Sequence, residues 1–491
     1  MSVLPRSIDY GAHLPVGVPA IQRRRKFYPT TGSVFGPGQI AEIRIDLESS
    51  NQLLDPANSY LDFEVVNNDV AQSVGFDISD QVFFDTIRIE QGGRVLSRVT
   101  GYNRLNCTAL SMCQTNHNGR VSESVTGGQR GGAAGAIPAS VNPIPPGGGL
   151  GASKVNLQHN SSADLGPVPA AGPRFWRFSV PIQTGLFTQD KLIPLPLLKP
   201  GAPLTICLEL TASENIGCWT AAPAPLVNAY SIRNVSYVGS MVEVGRDVMD
   251  QIRGVQDRMG GQLVISSQDW EHATANIAGG GVTTGEQVMR IPARHRSIKS
   301  VLWFAQSDSV ANCPGIATIA STYNMSYSGT MNGISYQLKV GGMVYPPTSV
   351  NMSGQTGAAN EPMRRGEMCM ELAKAFGTLG WTKPTGQLNT FGYASGVQGL
   401  GDGDNGNGGV QNIGDSATPI AGFVAGLDLD AWQRTAIEGG VDNETLAEEA
   451  NLIVTIDPAT NAGAEDKTLH MYVLFDKHYY FNRDGMITFS D

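Results

Sequence analysis

The chain has 491 residues, a formal net charge of −10 and only 16% charged residues, and 59 of its residues are glycine. This length suits two domains of about 200 to 250 residues better than one. Abundant glycine and a charged fraction below the usual ~25% favour short strands and many turns over a helical solenoid. The acidic charge argues against nucleic-acid binding by the bulk of the protein, because phosphate contacts require concentrated Lys and Arg.

The sequence predicts neither a membrane span nor a leader. No apolar run approaches the ~18 residues that would cross a bilayer. The first residues include Arg6 and Asp9 and lack the apolar segment of a signal peptide. We therefore expect a protein that is not secreted through a signal peptide. The six cysteines form no Cys-x-x-Cys pair, which predicts free thiols in a reducing compartment.

Motifs that carry chemistry are absent from the sequence. It contains no phosphate-binding P-loop, no nucleophile elbow and no zinc-binding helix of the His-Glu-x-x-His type. Residues 401–406 match Gly-x-Gly-x-x-Gly but lack the strand and helix that a dinucleotide site needs, and as a calcium loop they offer only Asp402 and Asp404. On one strand His470 and His478 would lie ~26 Å apart, too far to share a metal. We predict no enzymatic activity, no catalytic residues, no cofactor and no metal site.

Period-two alternation of apolar and charged residues predicts the first strand. Apolar Ile43, Ile45 and Leu47 alternate with charged residues, a pattern that buries one face of a sheet. A turn is predicted at residues 53–58, because Asp55 can accept a backbone hydrogen bond and Pro56 fixes its own φ. Extended structure resumes at residues 60–66. The sequence therefore predicts two strands joined by a reversal of the chain.

The order of elements in the first half of the chain recurs in the second. Each half shows a hairpin around a Gly-Gly pair, then a helix, then a glycine-rich excursion, then returning strands. The two hairpins align with their Gly-Gly pairs in register, 249 positions apart. In the first half these elements are the hairpin 86–99, the helix 101–114, the excursion 115–174, strands at 175–182, 204–210 and 230–244, and an irregular proline-rich segment at 192–197. In the second half they are a strand at 298–305, the hairpin 336–344, the helix 364–377, the excursion 383–418 and strands at 422–429, 451–456 and 468–481. A helix at 245–261 is the best boundary between the halves.

The segment from Leu54 to Phe63 reads Leu-Asp-Pro-x-x-Ser-Tyr-Leu-x-Phe and resembles the start of the double jelly-roll major capsid proteins. These belong to the tectivirus and adenovirus lineage and include proteins of polinton-like viruses, virophages and larger DNA-virus relatives. Residues 336–346, 371–376 and 471–485 resemble landmarks of the second jelly roll. The resemblance implies an all-β fold of two antiparallel eight-stranded jelly-roll β-sandwiches in tandem, with short flanking helices and long Gly-rich loops. We divide the chain into an N-terminal arm 1–38, a first jelly roll 39–245, a linker helix 246–261 and a second jelly roll 262–491.

The same resemblance implies a function. It indicates a viral major capsid protein that trimerises into pseudo-hexagonal capsomers, which tile an icosahedral shell assembled inside the host cell. Its partners would be copies of itself, neighbouring capsomers, and minor capsid, cement and penton proteins. The alternative is a two-domain β-sandwich carbohydrate-binding or carbohydrate-active protein, which predicts a secretion signal or paired acids, neither of which the sequence shows. A minor vertex capsid protein is a third reading, but such proteins are typically single jelly rolls.

One basic run stands out in this acidic chain, at Arg23, Arg24, Arg25 and Lys26. One hypothesis is an interior-facing basic arm that contacts an inner membrane or packaged DNA. The other is a solvated patch or an ion-pair partner for the acids of a neighbouring subunit. The glycine-rich excursions are expected at the outer end of the capsomer, because long loops leave a sandwich at its rims.

Overall fold

The computed structural model describes residues 20–37, 41–48, 50–68, 74–76, 80–106, 175–189, 191–212, 217–219, 230–277, 285–307, 333–352, 366–377, 424–430, 439–444, 449–456 and 467–491. Both glycine-rich excursions, residues 1–19 and most of the predicted helix 101–114 lie outside these ranges. The described residues form two β-sandwiches with three α-helices. None of the described helices is long and apolar enough to cross a membrane.

The first sandwich is built from eight main strands: β1 (Ala20–Phe27), β3 (Glu42–Leu47), β4 (Leu53–Asn67), β6 (Phe84–Gln91), β7 (Arg94–Val99), β8 (Phe175–Val180), β9 (Leu204–Leu210) and β11 (Tyr230–Val244). One antiparallel sheet has the order β1-β11-β4-β8 and the other β3-β9-β6-β7. Three short strands add to this frame: β2 (Val34–Phe35), β5 (Val74–Phe76) and β10 (Gly217–Trp219). Strand β2 pairs with β11, while β5 and β10 pair with each other.

The second sandwich repeats the plan with β12 (Gln262–Ile277), β13 (Gly285–Ile291), β14 (Ile298–Ser307), β15 (Gly333–Val340), β16 (Met343–Asn351), β17 (Ala425–Asp428), β18 (Ala450–Ile456) and β19 (Lys467–Asn482). Its sheets have the orders β12-β19-β14-β17 and β13-β18-β15-β16, and β20 (Ile487–Ser490) pairs with β19. If the main strands of each sandwich are numbered 1 to 8 along the chain, both sandwiches have sheets 1-8-3-6 and 2-7-4-5. Both sandwiches therefore have jelly-roll connectivity, which confirms the predicted fold class.

The helices occupy equivalent or connecting positions. Helix α1 (Tyr102–Arg104) follows the hairpin of the first sandwich, α2 (Arg246–Arg258) joins the sandwiches, and α3 (Gly366–Gly377) follows the hairpin of the second sandwich. The predictions of helices at 245–261 and 364–377 are therefore confirmed. Both hairpins are also confirmed, and Gly92, Gly93 and Gly341 turn with positive φ, which glycine adopts without steric penalty.

The core forms because alternate side chains of each strand point inward. Ile43, Ile45 and Leu47 of β3 are fully buried, while the charged residues between them stay partly exposed. Aromatic side chains fill the wider parts of each sandwich. Phe63 packs edge-to-face on Phe84 at 5.2 Å in the first, and Trp303 packs edge-to-face on Tyr336 at 5.4 Å in the second.

The predicted reversal at residues 53–58 is wrong. Strands β3 and β4 lie in different sheets, with β9 and β11 as their partners, so they form no hairpin. The Asp55 turn exists, but as a bulge inside β4, where the pairing with β11 skips from Tyr60 to Asp55. The Ser59 hydroxyl bonds the carbonyl of Asp55 and accepts from the Ser240 amide, which restores the interrupted ladder.

The interpretation of residues 1–38 as an irregular arm is also wrong for residues 20–27. These residues form strand β1, which pairs with β11 along its whole length from Ala20 opposite Val244 to Phe27 opposite Tyr237. These residues show no apolar alternation because β1 extends past the core and is exposed on both faces for most of its length. The remaining domain boundaries stay predictions.

Candidate functional site

Two regions of the described chain are candidates for a role in assembly, the basic strand and the junction. The basic strand is defined as Arg23, Arg24, Arg25 and Lys26 of β1, and the junction as the contact between the two sandwiches. Among the described residues no group of three or more His, Cys, Asp or Glu side chains could hold a metal ion.

The basic strand is held by contacts within its own sandwich. Arg23 lies 3.7 Å from Glu243, and Lys26 lies 3.2 Å from Asp62. The guanidinium of Arg24 lies 5.7 Å from the ring centre of Tyr60, and that of Arg25 lies 4.8 Å from the ring centre of Phe27. The four side chains that the sequence singled out therefore sit on an ordered strand, and their charge remains largely at the surface.

Asp62 is the acid that anchors this strand to the sheet. Its side chain is only 3% exposed and accepts hydrogen bonds from Lys26, Arg177 and Ser179. Burial alone would raise the pKa of Asp62, but the bonds from Arg177, Lys26 and Ser179 hold that pKa below its ordinary value. The carboxylate therefore stays charged and ties β1 to β4 and β8.

At one end of the junction, the turn after β7 enters a pocket of aromatic rings in the second sandwich. The Tyr472 hydroxyl donates to the carbonyl of Gly101 at 2.8 Å, and Thr100 Oγ1 lies 3.1 Å from His272 Nδ1. His272 Nε2 lies 3.0 Å from His470 Nδ1, and its ring stacks on Tyr472 at 4.5 Å. A Cβ on Gly101 would meet Tyr472 Oη at 2.8 Å, so only glycine fits there.

Both histidines of this pocket are neutral at pH 7. Burial, together with the charge of Arg104, lowers the pKa of His272 to about 4. Burial, Arg104 and His272 also hold the pKa of His470 well below its ordinary value. Arg104 itself binds across the junction, with Nε donating to Gln306 Oε1 at 3.1 Å, and lies 3.7 Å from Asp85.

At the other end, a buried glutamine joins the sandwiches. Gln91 is fully buried, donates to the carbonyl of Gly485 at 2.8 Å and accepts from the amide of Ile487 at 2.6 Å. The Lys199 amide also donates to Gly485 O at 3.0 Å. A Cβ on Gly485 would collide with the backbone of Lys199. The two sandwiches therefore approach each other here at backbone distance.

The two sandwiches approach each other equally closely in the middle of the junction. Ser267 Oγ donates to the carbonyl of Gly185 at 2.5 Å, and Ser97 and Thr184 share a hydrogen bond of 2.8 Å beside it. Gly185 adopts φ +39°, and a Cβ there would collide with the Tyr479 hydroxyl. Strand β7 and the turn at Gly185–Phe187 thus pack along β12, and the two sandwiches meet through a continuous polar seam.

No protein-family profile and no curated protein matches the sequence. Solved structures do match over nearly the whole chain. PBCV-1 VP54, fitted into a cryo-EM reconstruction of the virophage Sputnik, has a TM-score of 0.54 at 11% identity and covers 98% of this chain and 99% of its own. The Faustovirus major capsid protein has a TM-score of 0.54 at 9% identity, with 95% and 91% coverage.

The chain has the double jelly-roll fold of viral major capsid proteins. In this double jelly roll the predicted residues Arg23 to Lys26 are brought together on β1, at the edge of one sheet. The structure places none of them at the junction, which is built from other residues.

Sequence reasoning missed the junction residues. It compared His470 with His478 on one strand, whereas the actual neighbour of His470 is His272 on β12, 198 positions away in the chain. The missing signal was the pairing of β12 with β19, which sets Thr274 opposite His470 and His272 opposite Tyr472. A register prediction for the first and last strands of the second jelly roll would have found the pair.

Proposed function

We propose that this protein is the major capsid protein of a virus and that it assembles as a homotrimer into pseudo-hexagonal capsomers of an icosahedral shell. The observation that supports this most is the complete duplication of the jelly roll, matched over nearly the full length by solved capsid proteins. A shell protein needs no active site, since its specificity lies in subunit faces whose burial drives closed assembly. Its site of action would be the virion.

The proposal extends to partners. Neighbouring capsomers, minor capsid proteins, cement proteins and penton proteins would contact its outer faces. The interior-facing role of Arg23, Arg24, Arg25 and Lys26 toward an inner membrane or packaged DNA stays a prediction. It competes with a role for the same residues as a solvated patch or as ion-pair partners for the acids of a neighbouring subunit.

The experiment is the molar mass of the purified full chain by light scattering coupled to size-exclusion chromatography. We expect three times the 52.1 kDa of one chain, at micromolar concentration. Negative-stain images of the same fraction should show particles of roughly hexagonal outline. A well-folded monomer at micromolar concentration would contradict the proposed function.

A further inference from the structure

A lysine and two aspartates form a buried charge cluster in the second jelly roll. Lys299 lies on β14, Asp476 lies on β19, and Asp430 lies two residues after the end of β17. Their side chains are only 4%, 7% and 9% exposed, respectively. The Nζ atom of Lys299 lies 3.0 Å from Asp476 Oδ2 and 3.7 Å from Asp430 Oδ2. One cation therefore meets two carboxylates at a place that water hardly reaches.

Main-chain hydrogen bonds position the three residues of this cluster. The pairing of β14 with β19 skips one residue at Lys299, which is therefore the extra residue of a β-bulge. A bulge re-aims a side chain relative to the regular alternation of a strand. The Asp476 amide donates to the carbonyl of Ser297 at 3.1 Å. The amide of Leu429, the neighbour of Asp430, donates to the carbonyl of Lys299 at 2.8 Å. The amine and both carboxylates are thus held together by the backbone of three strands.

The surroundings of Asp476 favour attack by an amine. Holding two reacting groups in contact corresponds to an effective concentration on the order of 10⁵ M or more. Lysine becomes a nucleophile when a protein interior desolvates it. The Ser297 hydroxyl donates to Asp476 Oδ2 at 2.5 Å, so a donor already stands where negative charge develops during the attack. Burial of an ion pair costs the solvation of both charges, and conversion to a neutral amide removes that cost.

We propose that Lys299 and Asp476 condense into an isopeptide bond, with Asp430 as the proton relay. The ammonium group passes a proton to Asp430, and the lone pair of the resulting amine forms the new bond to Asp476 Cγ. Asp430 delivers this proton, and then a second one from the same nitrogen, to Asp476 Oδ1, which breaks from Cγ and leaves as water. Nothing is oxidised or reduced, and Asp430 ends as the carboxylate that it was. The structure holds the ion pair that precedes the reaction, and the 3.7 Å contact must shorten by about 0.5–1 Å for the proton to move.

The bond would join the two inner strands of one sheet, because β19 and β14 lie between β12 and β17. It would close a loop of 177 residues, from position 299 to position 476. A crosslink between distant positions restricts the unfolded chain, as a disulfide does, and so stabilises the folded one. The inference goes beyond the proposed function and does not depend on it, since the bond forms within one chain.

A second lysine cluster in the same jelly roll lacks these conditions. Lys477 lies 3.3 Å from Asp269 and 3.8 Å from Asp491. The Asp491 side chain is 27% exposed, and the Lys477 ammonium lies 4.3 Å from the ring centre of Phe489. Water and the aromatic ring both favour the charged ammonium, so this cluster should remain an ion pair. Lys477 therefore provides the matched control.

The test is the mass of the purified, denatured full chain, before and after overnight incubation at neutral pH. We expect the unaltered chain to be lighter by one water molecule, about 18 Da, than its sequence requires. Trypsin should release residues 297–339 joined to residues 468–477, because the modified Lys299 is no longer cleaved. Lys299→Arg keeps the cation but cannot condense, so it should have the full mass. Lys477→Arg should lose one water molecule as the unaltered chain does.

The relay is tested by Asp430→Asn, which keeps both reacting groups and should slow bond formation by about 10²-fold. Circular dichroism checks that each variant is folded, and the joined peptides of the unaltered chain decide the matter even if a variant misfolds. Full mass in the folded, unaltered chain would overturn the inference. A mass loss that persists in Lys299→Arg would also overturn it, since cyclisation at Asp484-Gly485 removes one water molecule too. Equally fast bond formation in Asp430→Asn would overturn the relay. None of these readouts depends on whether the chain assembles.

Discussion

The hydroxyl of Tyr472 donates to the carbonyl oxygen of Gly101 over 2.8 Å, and this bond joins the last main strand of the second jelly roll to the turn that ends the hairpin of the first. Gly101 adopts φ +59° at this point. Both the positive φ and the close approach exclude a side chain. The relation between these two residues therefore makes the junction sensitive to a single methyl group.

Gly101→Ala should destabilise the protein more than the same substitution at Gly93. Both glycines have positive φ, which costs an alanine roughly 1–2 kcal/mol. At Gly93 the new Cβ has no neighbour within 4 Å, whereas at Gly101 it meets Tyr472 and His272 at under 3 Å. The overpacking adds about 1–3 kcal/mol. Urea unfolding of both variants measures the difference in the free energy of unfolding. Equal losses would show that the junction relaxes around the new methyl group without cost.

Stability should fall as the pH drops below 6.5. The pKa of His272 is about 4 in the folded protein, because of burial and Arg104, against 6.5 when unfolded. Between these values the unfolded chain binds a proton that the folded chain does not, so the free energy of unfolding decreases. The loss is on the order of 3 kcal/mol once the pH reaches 4. Chemical denaturation at pH 7 and pH 4.5 measures it.

The matched control for this pH dependence lies on β19, the strand that pairs with β12. His272→Gln should reduce the loss between pH 7 and pH 4.5, since glutamine does not titrate, while the buried His470 still contributes. His478→Gln should leave the loss as it is, because His478 bonds Ser266 in an exposed contact away from the junction. An undiminished pH dependence in His272→Gln would assign the effect to other groups.

Lys299→Met should cost about 3–5 kcal/mol, the usual result of breaking a buried ion pair. The ammonium group lies 3.0 Å from Asp476 and 3.7 Å from Asp430, and its side chain is only 4% exposed. The substitution leaves two carboxylates in the sheet without their cation. Lys374→Met is the matched control, because Lys374 is 55% exposed on α3 beside Glu371 and should cost less than about 1 kcal/mol. Similar melting temperatures for the two variants would contradict the prediction.

Gln91→Leu should cost about 2–4 kcal/mol, because it leaves the Ile487 amide without its partner in a buried site and removes one of the two donors to the Gly485 carbonyl. Hydrogen exchange should accelerate at Ile487 more than in the strands of the core. Gln337→Leu makes the same chemical change on β15, where the amide donates only to Pro346 O at 3.3 Å and is partly exposed. Equal exchange rates at Ile487 in both variants would count against a joining role for Gln91.

Local patterns in the sequence predicted most of the strands and helices. Leu204–Leu210 and Tyr230–Val244 coincide with their predicted limits, because both are rich in apolar residues and most of their residues are buried. Gly92 and Gly341 identified both hairpins in the sequence, because the turn of each hairpin requires a positive φ at a single local position.

The sequence analysis failed where a feature depends on which strands pair with each other. The Asp55 and Pro56 pair indicates a turn from local preference, but pairing with β11 on both sides of it makes it a bulge. Strand β1 has no apolar face because most of it lies beyond the core. The contact of His272 with His470 depends on the register of β12 with β19, which no local pattern encodes.

The pairing of β1 with β11 sets an order of events during synthesis. The first sheet cannot close until residue 244 has left the ribosome, because β1 has its hydrogen-bonding partner there. The second jelly roll cannot close until β19 follows at residue 482, which at ~5–20 residues per second takes roughly 12–48 s longer. For nearly all of that interval Gly101 of a nascent chain lacks Tyr472, and Gln91 lacks Gly485 until three residues after its end. Neighbouring nascent chains on one polysome therefore expose an incomplete junction to each other, and the junction residues of one chain can bind those of another.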